Sequence, residues 1–245
     1  AGGRSTTFTS GQGLILMKEV LYVIAGKGLP VVFHIGARAL TSQSLNVHAG
    51  HDDVMGVADC GWGMLFAKNA QEAGDLAAIC RRAAEECGRP IMNVQDGFLT
   101  THTVESILQP ERELLKEFVG PPDSVPNLFT PENPIMTGVV QNQDSYMKGK
   151  IAQRVYYAKM AGALRDAMDD WGRLTGRKYD LVERYRMEDA EYALVGLGGM
   201  METAMATADD LRSHGHRVGV VHLTSFRPFP GPELVDALKD VKAFS

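Results

Sequence analysis

The stretch VVFHIGARALTSQSLNVHAGHDD, residues 31–53, sets an apolar, β-branched run directly against a glycine, an arginine and a cluster of histidine and aspartate. VVFHI reads as a strand buried on both faces of a parallel sheet, because such strands lose the polar alternation of half-exposed ones. In open α/β sheets ligands bind outside the carboxyl ends of the strands, so Arg38 stands where an anion would be met. A guanidinium keeps its charge at every accessible pH, and its planar fork matches a carboxylate bidentately. An internal ion pair to Asp52, Asp53 or Asp96 is the alternative use of the same charge.

The segment before this strand, LILMKEVLYVIAG, repeats Leu14, Met17, Leu21 and Ile24 at helical spacing. Gly26 and Gly28 end that helix and Pro30 forbids its resumption. The same grammar returns downstream. GMLFAK reads as a strand, Asn69 as an N-cap, and Ala73, Leu76, Ala77, Cys80, Ala83, Ala84 and Cys87 as one apolar helix stripe. Gly88 and Pro90 then precede the strand IMNV. Helix, glycine, proline and strand in repetition predict βαβ units and a parallel sheet.

After Asp96 the pattern loosens: six of the chain's 11 prolines lie between Pro110 and Pro134, which predicts a long, semi-rigid excursion without periodicity. A helix resumes near Lys148, with Ile151, Val155, Ala158, Ala161, Leu164, Met168 and Trp171 as its expected buried side, and ends near Gly176. RKYDLVERYRMEDA reads as a charged linker. A second βαβ module follows: strand YALVGLG, a helix with Met201, Ala204, Met205, Ala208 and Leu211 on one face, and strand RVGVVHL. A helix opens at Pro232, and DVKAFS falls where another strand is due. The fold class expected is therefore α/β: an open, mostly parallel sheet flanked by helices over residues 1–187, then part of a second α/β domain over 188–245.

Composition narrows the function classes. A formal charge of −5 and a pI near 5.8 exclude the basic face of a nucleic-acid binder. Lys18 and Glu19 interrupt the one apolar segment well short of a membrane span, so no membrane partner is expected and the chain is read as cytoplasmic. Cys60, Cys80 and Cys87 are odd in number and contain no CxxC spacing, so they read as packing thiols rather than disulfides or cluster ligands.

Three further groups invite a chemical reading. His48, His51, Asp52 and Asp53 are residue types that ligate metals, but their compact loop spacing equally suits loop hydrogen bonding or the lining of a site entrance, and no metal ligand is assigned. TTFTSGQG, residues 6–13, has glycines and hydroxyls before a helix, fitting either an anion cradle or hydroxyl capping of that helix, with no strand visible ahead of it. GLGGMMETA lacks the dinucleotide-binding spacing, and tight strand-to-helix packing accounts for its glycines.

Taken together, TTFTSGQGLILM, FHIGARAL, GHDDVM, QDGFLTTH, GVVQNQDSYMKGK and SFRPFPGPEL resemble, in order and over nearly the whole chain, the N-terminal region of the pyruvate:ferredoxin (flavodoxin) oxidoreductases. The resemblance implies a pyrimidine-binding thiamine-diphosphate domain followed by the start of a transketolase C-terminal-like domain. It implies oxidative decarboxylation of pyruvate to acetyl-coenzyme A and CO2, with Mg2+ and [4Fe-4S] clusters held outside this chain and electrons passed to ferredoxin or flavodoxin. Partners implied are pyruvate, the remainder of the same enzyme and a second copy in a homodimer. Arg38 matches the family arginine that grips the substrate carboxylate, although Gly36 replaces the family's threonine two residues before it. Thr9, Ser10 and Gln12 match a loop near the cofactor. The family's activating glutamate belongs upstream of that loop, a role that Glu19 cannot take. A same-fold enzyme for another 2-oxo acid and a non-catalytic assembly subunit are the rival readings.

Overall fold

A computed structural model describes residues 2–245. Its first sheet runs in the order β1 (Thr6–Thr9), β2 (Val32–Ala37), β4 (Ile91–Asp96), β3 (Gly63–Phe66) and β8 (Ser225–Arg227). The first four are parallel, and β8 is antiparallel to β3. α1 (Gly11–Leu16), α2 (Lys18–Gly26) and α3 (Asp52–Met55) accompany one apolar cluster, in which Leu14, Leu21, Val54 and Trp62 are fully buried. α4 (Ala70–Cys87), α5 (Arg112–Val119) and α6 (Tyr146–Thr175) supply the other, around Leu76, Ile79, Leu164 and Trp171. Each such large side chain contributes about 1.5–3 kcal/mol on burial. The sheet is thus covered on both sides, as the continuous apolar strands require.

Local signals behave as their chemistry dictates. The Asn69 side chain accepts the Glu72 N–H and caps α4, which ends at Gly88 in the left-handed region at φ +63°. All three cysteines are buried and unpaired; burial pushes Cys60 and Cys87 up to about 11 and Cys80 further still, which leaves them inert at neutral pH.

The second sheet has the order β5 (Val182–Tyr185), β7 (Val218–Leu223), β6 (Tyr192–Gly196) and β9 (Ala243–Phe244). It is parallel except for β5. α7 (Met200–Ser213) packs on it through Met201 and Ala208, and α8 (Gly231–Leu238) through Ala237. The short β9 is the strand expected in the last residues. A Cβ at Gly196 would lie 2.7 Å from Met201 Sδ, so one glycine of GLGG is required by strand-to-helix packing.

Five local expectations need correction. TTFT is a strand, β1, hidden by its hydroxyls because this edge strand is only half buried. The helix from Leu14 to Ile24 is two helices, parted at Met17. The proline-rich excursion holds α5, whose Phe118 meets Trp171 edge-on at 4.8 Å. The charged run 177–190 contains β5, an antiparallel edge strand that tolerates Glu183 and Arg184. Finally, Ile151, Val155 and Ala158 are exposed, whereas Leu164, Met168 and Trp171 are buried. With 30 residues, α6 reaches about 45 Å and outruns the short strands beneath it.

Candidate functional site

β1, β2 and β4 end side by side, with Thr9 opposite Ile35 and Ala37 opposite Asp96, and the polypeptide leaving each end is tied to the next. The knot is Asp53, fully buried at the start of α3. Its Oδ2 accepts the N–H of Gly11 at 2.8 Å and of Arg38 at 3.3 Å, and its Oδ1 accepts that of Val54 at 2.8 Å. Burial pushes the Asp53 carboxyl above the ordinary range, and these backbone donors pull against it.

Arg38 is held by these bonds at its backbone, not at its charge. Neither Asp52, Asp53 nor Asp96 reaches the guanidinium: Asp52 accepts the Leu40 N–H at 3.2 Å, and Asp96 is engaged elsewhere. Among the described residues the guanidinium's one hydrogen-bond partner is Gln12, whose Oε1 accepts from Nη2 at 3.1 Å. Gln12 in turn donates to Thr41. The Arg38 Nε is buried and has no partner. Gly11, at φ +51°, makes this placement possible, since a Cβ there would lie 2.6 Å from Nε. An unpaired cation with an orphaned buried donor fits a site for an anion.

That cation lines a cavity of about 440 Å3, together with Thr9, Ser10, Gly36, His34 and Phe98. Phe8 stacks on His34 at 4.8 Å, and burial lowers the His34 pKa, keeping that ring neutral. Across the cavity, Phe98 sits at φ +68° and stacks on His102 at 5.0 Å, with His48 edge-on at 4.6 Å. Such a backbone costs about 1–3 kcal/mol and persists only where the surroundings enforce it. Here the N–H of Phe98 donates to Thr101 Oγ1 at 2.9 Å and Gly97 N–H to Ala37 O at 2.7 Å. At Gly36 a Cβ would lie 3.3 Å from Thr101 Cγ2, so a larger residue here would press on the same turn.

The anticipated residues therefore divide. Arg38, Thr9 and Ser10 meet at one cavity, and Gln12 lies behind Arg38, positioning it. Capping does not account for the hydroxyls: Ser10 makes no side-chain bond to α1. Nor does the six-residue α1 offer its leading N–H, which Asp53 takes. Asp96, the other polar strand end, faces the second sheet. It accepts from His51 Nε2 at 2.8 Å and from the Gly199 N–H at 2.7 Å, and a Cβ at Gly198 would come within 2.9 Å of it. His51, Asp52 and Asp53 thus work as loop hydrogen-bonding groups. Asp53 and Gly11 were not legible as positioning residues, because their role depends on three strand ends meeting in space. Also unseen was a convergence of Glu72, Glu183 and His222, drawn from three separate elements.

Residues 1–169 match the family model described as pyruvate flavodoxin/ferredoxin oxidoreductase, thiamine diP-bdg, and residues 190–245 match pyruvate:ferredoxin oxidoreductase core domain II. The pyruvate-flavodoxin oxidoreductase of Nostoc sp. is 37% identical over 241 residues, 97% of this chain and 59% of that protein. Pyruvate synthase subunit PorA of Thermotoga maritima is 37% identical over 245 residues, 99% of this chain and 62% of that protein. The chain thus spans about three-fifths of the length of these relatives. In the solved structure of 2-oxoglutarate:ferredoxin oxidoreductase from Magnetococcus marinus, with 2-oxoglutarate, coenzyme A and succinyl-CoA bound, the fold recurs at TM-score 0.68 and 17% identity, covering 99% of this chain and 45% of that one.

Proposed function

Because the chain belongs to the pyruvate flavodoxin/ferredoxin oxidoreductase family, we propose that it forms the substrate-orienting wall of a thiamine-diphosphate enzyme that oxidatively decarboxylates pyruvate to acetyl-coenzyme A and CO2. The observation that carries this reading is the Arg38 guanidinium, free of acid partners and bordering a cavity. Arg38 binds the carboxylate of the 2-oxo acid and fixes the orientation of its keto carbon. Gln12 holds one arm of the fork, so that the remaining donors point one way. Thr9 and Ser10 offer hydroxyls to the cofactor's edge, and the stacked Phe8–His34 and Phe98–His102 pairs flank the cavity. The orphaned Nε and the unused Ser10 hydroxyl fit a bound polar group. When bound, thiamine diphosphate supplies the nucleophilic carbon and the electron sink.

The rest of the apparatus lies on polypeptide beyond this chain: the Mg2+ ligands, the [4Fe-4S] clusters, and the contacts for coenzyme A and for ferredoxin or flavodoxin. The division into a pyrimidine-binding unit over 1–187 and a transketolase C-terminal-like unit over 188–245, a homodimeric assembly and a cytoplasmic location complete the reading. Among the described residues no helix is long and apolar enough to cross a membrane.

The test is pyruvate- and coenzyme-A-dependent reduction of a viologen dye by the intact protein. Arg38→Ala is expected to lower kcat/KM by about 2–4 kcal/mol, roughly 30- to 1,000-fold, while the melting temperature holds. Unchanged turnover removes Arg38 from the substrate site. Activity with 2-oxoglutarate but not with pyruvate would reassign the substrate and leave the anchor in place.

A further inference from the structure

A second polar cluster, unused by the reaction above, joins the two sheets. Lys68 follows β3, Glu72 lies in the first turn of α4, Glu183 is in β5 and His222 is near the end of β7. Glu72 is 1% exposed and His222 0%. The Lys68 ammonium takes Oε2 of Glu72 at 3.0 Å and Oε2 of Glu183 at 2.6 Å. The opposite oxygens, Glu72 Oε1 and Glu183 Oε1, are buried without a protein partner, and so is His222 Nε2. Three unmet polar atoms in one buried cluster are unusual, since interior polar groups are normally paired.

The His222 ring also faces Glu183, with Nδ1 4.0 Å from Oε2. One ligand atom from each of Glu72, Glu183 and His222 lies within 4.8 Å of the others, a span that a small inward shift closes around an ion. Thr224 Oγ1 lies 3.4 Å from His222 Nδ1, which leaves Nε2 as the ring nitrogen without a protein partner. A cleft of about 1,200 Å3 reaches the cluster at Glu183, and its wall carries Asp166, Asp169 and Asp180 beside Lys178 and Arg184.

We propose that Glu72, Glu183 and His222 form a binding site for a divalent transition-metal ion of the Zn2+ type, with Lys68 holding the outer carboxylate oxygens. Imidazole beside two carboxylates favours Zn2+ over Mg2+, which prefers oxygen ligands alone. The ion would tie α4, which packs on the first sheet, to β5 and β7 of the second sheet, a structural role that does not depend on the assignment of Arg38.

The intact protein is stripped with chelator, equilibrated with buffered Zn2+ in millimolar Mg2+, and its zinc counted against protein. One zinc per chain is expected, with a rise in melting temperature. Glu183→Gln, at a part-exposed strand position, and His222→Gln should each weaken retention at least tenfold and abolish the thermal shift. Should His222→Gln fail to fold, Glu183→Gln gives the same reading. Lys68→Gln should bind zinc more tightly, because it removes the competing cation. Zinc bound by Lys68→Gln alone, no zinc on the wild-type protein, or equal retention by Glu183→Gln would each overturn the site and leave lysine as the cluster's only cation.

Discussion

Two arginines show how differently one side chain is used in this fold. Arg177 closes on Asp75, a fully buried carboxylate of α4, through Nε at 2.5 Å and Nη2 at 2.9 Å, and Tyr179 donates to the same carboxylate at 2.7 Å. Arg38 stands at a strand end with an amide oxygen and a buried Nε that nothing meets. Arg177 is completed by the chain that carries it, and its work is to hold α6 against α4. Arg38 is left incomplete, though Asp52, Asp53 and Asp96 are nearby in the fold, because backbone N–H groups and His51 claim those acids first. A site is made here as much by occupying the available counter-ions as by presenting the cation.

The contrast is broken most severely at Arg177. Arg177→Ala leaves the Asp75 carboxylate buried with neutral donors alone, Tyr179 and Gln71, and no countercharge, so the unfolding free energy should drop by about 3–5 kcal/mol, read by denaturant titration. Arg38→Ala should leave that titration unmoved. Equal losses for the two variants would mean that Arg38 is structural after all. A smaller effect sharpens the difference: Gly11→Ala forces a side chain into the left-handed region and against Nε, at about 1–3 kcal/mol. Its cost should appear in pyruvate KM as well as in stability, because the residue displaced is Arg38. Smallest is Gln12→Ala, which removes one exposed hydrogen bond worth about 0.5–1.5 kcal/mol. KM should rise by no more than roughly tenfold with the melting temperature unchanged, and a loss as large as that of Arg38→Ala would make Gln12 a direct ligand.

The legible parts of the chain were those whose signal is local. VVFHI, IMNV and the stripe from Ala73 to Cys87 announced their elements because their burial is nearly complete. β1 and β5 did not, since a half-buried edge strand is free to carry threonine, glutamate and arginine. Arg38 could be read as a site residue from its place after a buried strand. The residues that set its geometry could not: Asp53 resembled a metal ligand by type, and Gly11 one glycine of an anion cradle, until the two were seen to share one hydrogen bond. Gly198 and Gly199 were half understood, because the carboxylate they accommodate, Asp96, comes from the other sheet.

β8 bears on how this polypeptide is made. Ser225 and Arg227 pair with Leu65 and Met64, across the whole of α4, β4, α5, α6 and most of the second sheet. During translation the N-terminal unit therefore leaves the ribosome with the β3 flank bare, and an uncovered strand flank invites pairing with other nascent chains. The segment that carries β8 thus serves the first sheet as an intramolecular guard, and a fragment released without it would be sticky by construction.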